Sequence, residues 1–130
     1  MTRMWLSLAA ACALAGCAQG QTQRQEADRR ALAEARPVGE PVDCVDIARI
    51  DYTRVRDERT IDFYMRGREV YRNRLPDECS GLAFEDSFTY RTSLSRLCSV
   101  DTITVNRAGG GIGGPTCALG PFQRIETEIR

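Results

Sequence analysis

Beyond Pro41 the chain alternates apolar and polar side chains over short distances, a pattern that predicts strands. The clearest run is Thr60–Met65, in which Ile61, Phe63 and Met65 fall on one face of a strand. No stretch after Pro41 shows the apolar stripe of an amphipathic helix. The pattern therefore predicts a domain built mainly from strands.

Similar runs surround this strand. Arg66-Gly67 supplies a turn, and Arg68–Arg74 forms the return strand of a hairpin. Val45–Tyr52 is expected to be one strand, with a bulge where its apolar positions change phase. The other β-rich runs are Phe88–Thr92, Thr102–Val105 and Phe122–Ile129. We predict a mainly β fold: a small antiparallel sheet, connected as an up-and-down meander, that curls into a barrel or sandwich.

The N-terminal segment is patterned differently. Arg3 precedes an apolar stretch from Trp5 to Ala13, and Leu14-Ala15-Gly16-Cys17 follows it. A transmembrane helix needs roughly 20 apolar residues. The stretch is shorter than that, and its layout is typical of an export signal.

Leu14-Ala15-Gly16-Cys17 resembles the lipobox of bacterial lipoproteins. The resemblance implies that the Cys17 thiol carries a diacylglycerol and that residues 1–16 are a signal peptide removed by cleavage. An ordinary secretory signal, cut near Ala13 or Ala18, is the alternative. In the lipoprotein interpretation the acyl chains form a lasting membrane anchor, because each buried methylene contributes roughly 0.8 kcal/mol.

Residues 17–41 are polar, contain four glutamines and end at Pro37 and Pro41. They lack a broad apolar stripe, so we expect a lipidated, solvated tether. A short helix over Ala27–Ala35 that docks on a partner is the alternative. The residue after Cys17 is not Asp, which resembles outer-membrane sorting in many Gram-negative bacteria. We therefore expect anchoring in the outer membrane, facing the periplasm, more than in the inner membrane.

Export would place the domain of residues 42–130 in an oxidising compartment, where an even set of cysteines predicts two disulfides. The domain's cysteines are Cys44, Cys79, Cys98 and Cys117. A four-thiolate zinc site is the alternative, but no CxxC pair occurs and the spacings are wide. In a simple meander Cys44 and Cys98 lie at one end of the sheet, and Cys79 and Cys117 at the other. The connectivity made of these two disulfides is therefore favoured over the other two possible connectivities.

Four runs in the domain, taken in order, resemble a family of small, uncharacterised Gram-negative lipoproteins defined as a domain of unknown function. The runs are Val55–Ile61, Val70–Leu75, Cys79–Leu82 and Leu97–Ile103. The resemblance covers most of the domain and implies a lipid anchor and the four domain cysteines. It implies no activity and no catalytic residue.

Side chains that carry catalytic chemistry are sparse. The chain has no His, which removes histidine bases, histidine-paired nucleophiles and histidine metal ligands. Two pairs of adjacent acids, Asp57-Glu58 and Glu85-Asp86, lie where turns are expected. We interpret them as solvated turn charges, and we assign no catalytic residue, no cofactor and no metal.

Charge is balanced, with 18 basic and 18 acidic side chains, and this argues against a nucleic-acid partner. One local cluster is a candidate site: Arg68, Arg72 and Arg74 share a face of the predicted return strand, next to Arg66 in the turn. Guanidinium groups there are suited to phosphate or carboxylate on a lipid headgroup, a cell-wall polymer or a protein. A solvated face balanced by Asp57, Glu58, Asp62 and Glu69 is the interpretation that the sequence favours over such a site.

These observations together predict a lipid-anchored envelope protein that acts by binding or as a structural or accessory module, with an unknown envelope or cell-wall partner. A carboxylate-dependent hydrolase of envelope polymers is one alternative, and it requires two carboxylates that converge in a pocket. A periplasmic inhibitor or accessory subunit is the other, and it requires a stoichiometric partner.

Overall fold

A computed structural model describes residues 12–92, 94–108 and 113–127, with the backbone alone described for residues 12–18. Its helices and strands are α1 Cys12–Glu34, β1 Arg36–Pro37, β2 Cys44–Asp46, β3 Ile50–Asp57, β4 Thr60–Met65, β5 Val70–Arg74, α2 Leu82–Glu85, β6 Phe88–Arg91, β7 Arg96–Cys98, β8 Thr102–Val105, β9 Thr116–Ala118 and β10 Phe122–Glu126. Most of the predicted signal peptide, residues 1–11, lies outside the described residues, as do residues 128–130 at the end of the last predicted strand.

All strand pairs are antiparallel, and they form three sheets. The largest has five strands in the order β1-β10-β5-β4-β3, and the smaller ones pair β2 with β7 and arrange β6-β8-β9. The mainly β prediction is confirmed. A barrel or a sandwich was expected. The described sheets do not close into a barrel, so the architecture is sandwich-like.

The apolar core lies on the inner face of the five-stranded sheet. Ile61, Phe63 and Met65 on β4 are all buried in it, which confirms the predicted face of this strand. The Phe63 and Phe122 rings meet edge to face with their centroids 5.4 Å apart. Leu97 and Ile103 bring the two smaller sheets into the same cluster.

The prediction of one continuous strand over Val45–Tyr52 is wrong. A 3₁₀ turn at Ile47–Arg49 separates β2 from β3, which belong to different sheets. The side chain of Asp46 caps this turn by accepting a hydrogen bond from the Ala48 N–H at 3.0 Å. The change of phase between Ile47 and Ile50 therefore marks a passage between sheets, and a register shift in the β3–β4 ladder follows it directly, between Ile50 and Tyr52.

The predicted meander is also wrong, because the last strand, β10, inserts between β5 and β1. Buried Asn73 on β5 fixes the approach to β10: its side-chain amide donates to the Gly120 carbonyl at 2.7 Å and accepts from the Gly120 N–H at 2.9 Å. A Cβ at Gly120 would lie 2.3 Å from the Arg74 carbonyl oxygen. Glycine is required there because two stretches of backbone meet.

Cys44 is disulfide-bonded to Cys98, and Cys79 to Cys117. These are the two pairs favoured above, but the geometry that produces them differs from the expected one. Cys44 and Cys98 are direct partners in the β2–β7 ladder, with Cα atoms 4.0 Å apart. The other bridge ties the segment before α2 to β9.

α1 is longer than the short helix considered over Ala27–Ala35, and part of it packs on the domain. Asp28 and Ala31 are buried, whereas most of the other side chains described on the helix are exposed. The described part of this segment is therefore not a fully solvated tether, because the helix packs on the chain's own sheet. Docking of the helix on a partner stays a prediction. Among the described residues no helix is both long and apolar enough to cross a membrane.

Candidate functional site

The three arginines of the predicted anion site do not form one open cluster. Arg72 is mostly buried and ion-paired with Asp62. Arg74 is exposed at the end of β5, while Arg68 lies before the other end of that strand, in the turn from β4. The structure therefore separates a buried arginine, Arg72, from two exposed ones.

Asp62 is the centre of a charged layer on the outer face of the sheet. Its side chain is fully buried in the middle of β4. Arg72 on β5 donates to both of its carboxylate oxygens, from Nε at 2.8 Å and from Nη2 at 2.9 Å. Arg56 on β3 donates from Nε to Oδ2 at 2.9 Å. Such forked, charge-assisted hydrogen bonds are the geometry in which a buried carboxylate is best compensated.

The same layer holds α1 on the sheet. Arg56 Nη1 donates to Asp28 Oδ1 on the helix at 2.8 Å, and Arg54 Nε lies 3.4 Å from the same oxygen. Arg72 Nη2 donates to the Ala31 carbonyl at 3.3 Å. The charged layer, as the term is used from here on, consists of Asp28, Arg54, Arg56, Asp62 and Arg72.

Arg56 keeps its charge within this layer. Burial acts to lower the pKa of Arg56, but the hydrogen bonds to Asp28 and Asp62 and the nearby Tyr64 and Asp62 raise it, and the net pKa is above the ordinary value. A pKa that is raised on folding stabilises the fold at every pH below the pKa of the group in the unfolded chain. This stabilisation is lost only at higher pH, as the pH rises through the pKa of the folded protein. Arg56 therefore contributes no pH switch near neutrality.

The helix has a defined direction on the sheet. At the middle of the helix Arg24 is ion-paired with Asp86, just after α2. A groove of about 720 Å³ separates α1 from Asp57, at the end of β3, and from α2. After the C-terminal end of α1 the chain enters β1. β1 pairs with the end of β10, and this part of β10 also lies beside the start of β5. α1 thus runs from the β3–β4 turn towards the β4–β5 hairpin.

At the hairpin end lies an open cleft of about 530 Å³. It is lined by Tyr52, Tyr64, Arg66, Arg68 and Glu69, and by residues 124–127 at the end of β10 and just after it. The rings of Tyr52 and Tyr64 stack 4.5 Å apart, and Tyr52 is half exposed. The Tyr64 hydroxyl accepts a hydrogen bond from Arg56 at 2.7 Å. The charged layer therefore also holds one ring of this aromatic pair.

The hairpin turn presents Arg68 in an uncommon conformation. The turn closes with a hydrogen bond from the Arg68 N–H to the Met65 carbonyl at 3.2 Å, and Gly67 supplies the positive φ it needs. Arg68 itself also has a positive φ, of 77°. A left-handed conformation costs a residue with a Cβ about 1–2 kcal/mol. The fold thus holds an arginine at a position that glycine would occupy with less strain.

The adjacent acids each make a contact within the fold. Asp57 accepts from the Arg59 N–H at 2.8 Å, Glu58 from the Ala83 N–H at 3.3 Å, and Glu85 from the Ala108 N–H at 3.1 Å. Asp86 pairs with Arg24. In the part of the chain that the structure describes, no three acidic, cysteine or histidine side chains are arranged to hold a metal ion.

Sequence reasoning missed the charged layer. Asp62 and Arg72 lie at alternate positions of their strands, as they would on a solvated face. The one available signal was Asp62 itself, a carboxylate between Ile61 and Phe63 in the most apolar strand. Its direct partners Arg56 and Arg72 are only 6 and 10 positions away, but Asp28, which Arg56 joins to the layer, lies 28 positions from Arg56.

The fold and its sites define a small, two-disulfide β protein with an N-terminal helix docked on one sheet face. The chain belongs to a family of unknown function, DUF6491, which matches residues 1–127. No curated protein matches the chain. No solved structure matches it either.

Proposed function

We propose that this protein is a lipid-anchored component of the Gram-negative cell envelope that acts by binding or as a structural accessory module. The observation that carries the proposal is Leu14-Ala15-Gly16-Cys17 at the end of an apolar run of signal-peptide length. The proposed location is the outer membrane, on its periplasmic side. The family match includes this segment.

The two disulfides support an exported location, because such bridges persist in oxidising compartments. They join residues 54 and 38 positions apart. Loops of that size correspond to about 4 kcal/mol of stabilisation per bridge in the chain-entropy estimate. A domain of this size gains a large share of its stability from two such bridges.

The docked helix gives the anchor a structural role. Eleven residues separate Cys17 from Asp28, a length of about 16 Å in a helix. The hairpin cleft lies at the other end of β3, a strand whose eight residues span about 26 Å. α1 then acts as a short strut that keeps the domain near the membrane and directs the cleft away from it.

The cleft is the element that we assign to ligand or partner binding. It combines an exposed tyrosine face with the guanidinium groups of Arg66 and Arg68. Its distance from the anchor favours a cell-wall polymer or a periplasmic protein over a headgroup of the anchoring membrane. No observation favours the hydrolase: Asp28, Asp57 and Asp86 line the groove beside α1, and each already accepts a structural hydrogen bond or ion pair.

The anchor is tested by Cys17→Ser, with Cys12→Ser as the matched control in the same segment. Cells are grown with an alkyne-tagged fatty acid, and membranes are separated from the soluble fraction. We expect the wild type and Cys12→Ser to carry the label in the outer-membrane fraction, and Cys17→Ser to carry none. Label retained in Cys17→Ser would contradict the proposal.

The binding element is tested separately with a photo-crosslinking residue at position 68 and, as the control, at exposed Arg91 on β6. We expect a discrete crosslinked species from position 68 in living cells and none from position 91. That species should disappear when Arg66 and Tyr52 are changed to Ala. Identical patterns from the two positions would remove the cleft from the proposal and leave the anchor standing.

A further inference from the structure

Phe84 is the most exposed aromatic side chain described in the structure. It lies on α2 with 88% of its surface exposed, while its neighbour Leu82 is fully buried and fixes the short helix to the domain. Ala83 is exposed as well. A single exposed apolar side chain is common on protein surfaces, so the meaning of Phe84 depends on what lies beside it.

The position of α2 relative to Cys17 indicates what covers it. Gln21 and Phe84 line the same groove, and Arg24 is ion-paired with Asp86. Gln21 is four residues from Cys17, and Arg24 seven, which in α1 correspond to about 6 and 10 Å. α2 therefore lies beside the first turns of helix that follow the anchor.

The acids around Phe84 are engaged in contacts of their own: Glu58 accepts the Ala83 N–H, and Asp57, which lines the same groove, accepts the Arg59 N–H. Asp86 is compensated by Arg24, and the Glu85 carboxylate accepts the Ala108 N–H. Arg107, next to Ala108, is exposed. Aromatic rings flanked by arginines are favoured at the level of the headgroups, where the ring meets the acyl chains and the guanidinium meets phosphate.

We propose that Phe84 inserts into the interfacial region of the bilayer that holds the Cys17 lipid. This inference rests on the proposed anchor and deepens it. A lipid alone leaves the domain free to reorient on the membrane, whereas a lipid together with an inserted ring fixes the orientation of the domain. With α2 on the membrane, β3 and the β4–β5 hairpin extend away from it. The hairpin cleft then faces the periplasm in one defined orientation.

The test uses tryptophan fluorescence. The chain's single tryptophan is Trp5, which leaves with the signal peptide, so the processed protein has none. Phe84→Trp introduces one indole at the proposed contact. Tyr52→Trp is the matched control, an exposed aromatic at the hairpin end of β3.

Each full-length variant is expressed in a Gram-negative host, purified in detergent, weighed by mass spectrometry and reconstituted in phosphatidylethanolamine–phosphatidylglycerol vesicles with or without brominated acyl chains. For Phe84→Trp we expect blue-shifted emission and loss of most of the fluorescence with brominated lipid. For Tyr52→Trp we expect unshifted emission and no loss.

Two different failures are distinguishable. A mass without the diacylglyceryl addition would overturn the anchor and this inference together. A lipidated protein in which the two positions are quenched equally, or neither is quenched, would overturn the membrane contact of Phe84 alone. Because both side chains are exposed, neither variant is expected to disturb the two disulfides, and peptide mapping checks that they are intact.

Discussion

The two faces of the five-stranded sheet are both covered, but by opposite chemistry. The inner face packs Ile61, Phe63 and Phe122 into an apolar cluster shared with the smaller sheets. The outer face carries the charged layer, in which Asp62 is as fully buried as Phe63. One face buries apolar area, and on the other Arg56 and Arg72 compensate the buried carboxylate of Asp62.

The two faces contribute differently to the stability of the fold. Apolar packing is non-directional, so a core tolerates changes of shape better than changes of polarity. A buried ionic layer contributes little net stability when complete, but losing one partner is costly because the remaining charges stay buried. We infer that the outer face mainly fixes the position of α1, while the inner face and the disulfides hold the domain together.

The largest expected effect comes from adjacent residues on opposite faces. Phe63→Ala should lower the free energy of unfolding by about 3–5 kcal/mol through lost burial and a cavity. Asp62→Ala should lower it by a similar 3–5 kcal/mol, although far less apolar surface is removed, because Arg56 and Arg72 are left uncompensated. Chemical denaturation with the disulfides intact measures both. An effect below 1 kcal/mol for Asp62→Ala would mean that the outer face is open to water.

Two arginines on the same face of β5 give a second contrast. Arg72→Ala removes three hydrogen bonds, including those to buried Asp62, and should cost about 2–3 kcal/mol. Arg74→Ala changes an exposed side chain and should stay within about 0.5 kcal/mol of wild type. Equal costs for the two substitutions, measured by denaturation, would contradict the assignment of Arg72 to the charged layer.

A smaller effect is expected from the helix side of the layer. Asp28→Ala removes the carboxylate that Arg56 holds and should cost about 1–2 kcal/mol, with most of the loss confined to α1. Glu26→Ala, at an exposed position on the same helix, is the control and should be nearly neutral. Limited proteolysis should cut α1 faster in Asp28→Ala only. Equally fast cutting in Glu26→Ala would argue against docking through Asp28.

The smallest effect is expected at the partly exposed contact between α1 and α2. Arg24→Gln breaks the ion pair with Asp86, in which both side chains are partly exposed, and should cost at most about 1 kcal/mol. Its measured cost should fall further at high salt, because exposed pairs are screened. A cost above that of Asp28→Ala would move the main attachment of α1 from the charged layer to α2.

The inner face was predictable because its signal is local. Alternation in Thr60–Met65 identified both the strand and its apolar face. The outer face carries the same alternation. This alternation places Asp62 on the outer face, but it is identical whether water or a helix covers that face. α1 was underestimated because its contact uses Ala31 and Asp28 and not a stripe of large apolar side chains.

Topology was less accessible because it depends on pairings that are distant along the chain. Nothing near Phe122–Glu126 indicates that β10 pairs with β5, some 50 residues earlier, and not with the strand before it. The arginine site shows the same limit. The alternation placed Arg72 and Arg74 on one face, as the strand has them, but it could not show that Arg72 already has a carboxylate partner.

Amide hydrogen exchange distinguishes an α1 that is docked on the domain from a free tether. We expect slow exchange for the amides of residues 28–34 in the wild type, with selective loss of that protection in Asp28→Ala while β4 and β5 stay protected. Exchange of these helix amides at the rate of an unfolded chain in the wild type, beside a protected sheet, would contradict it.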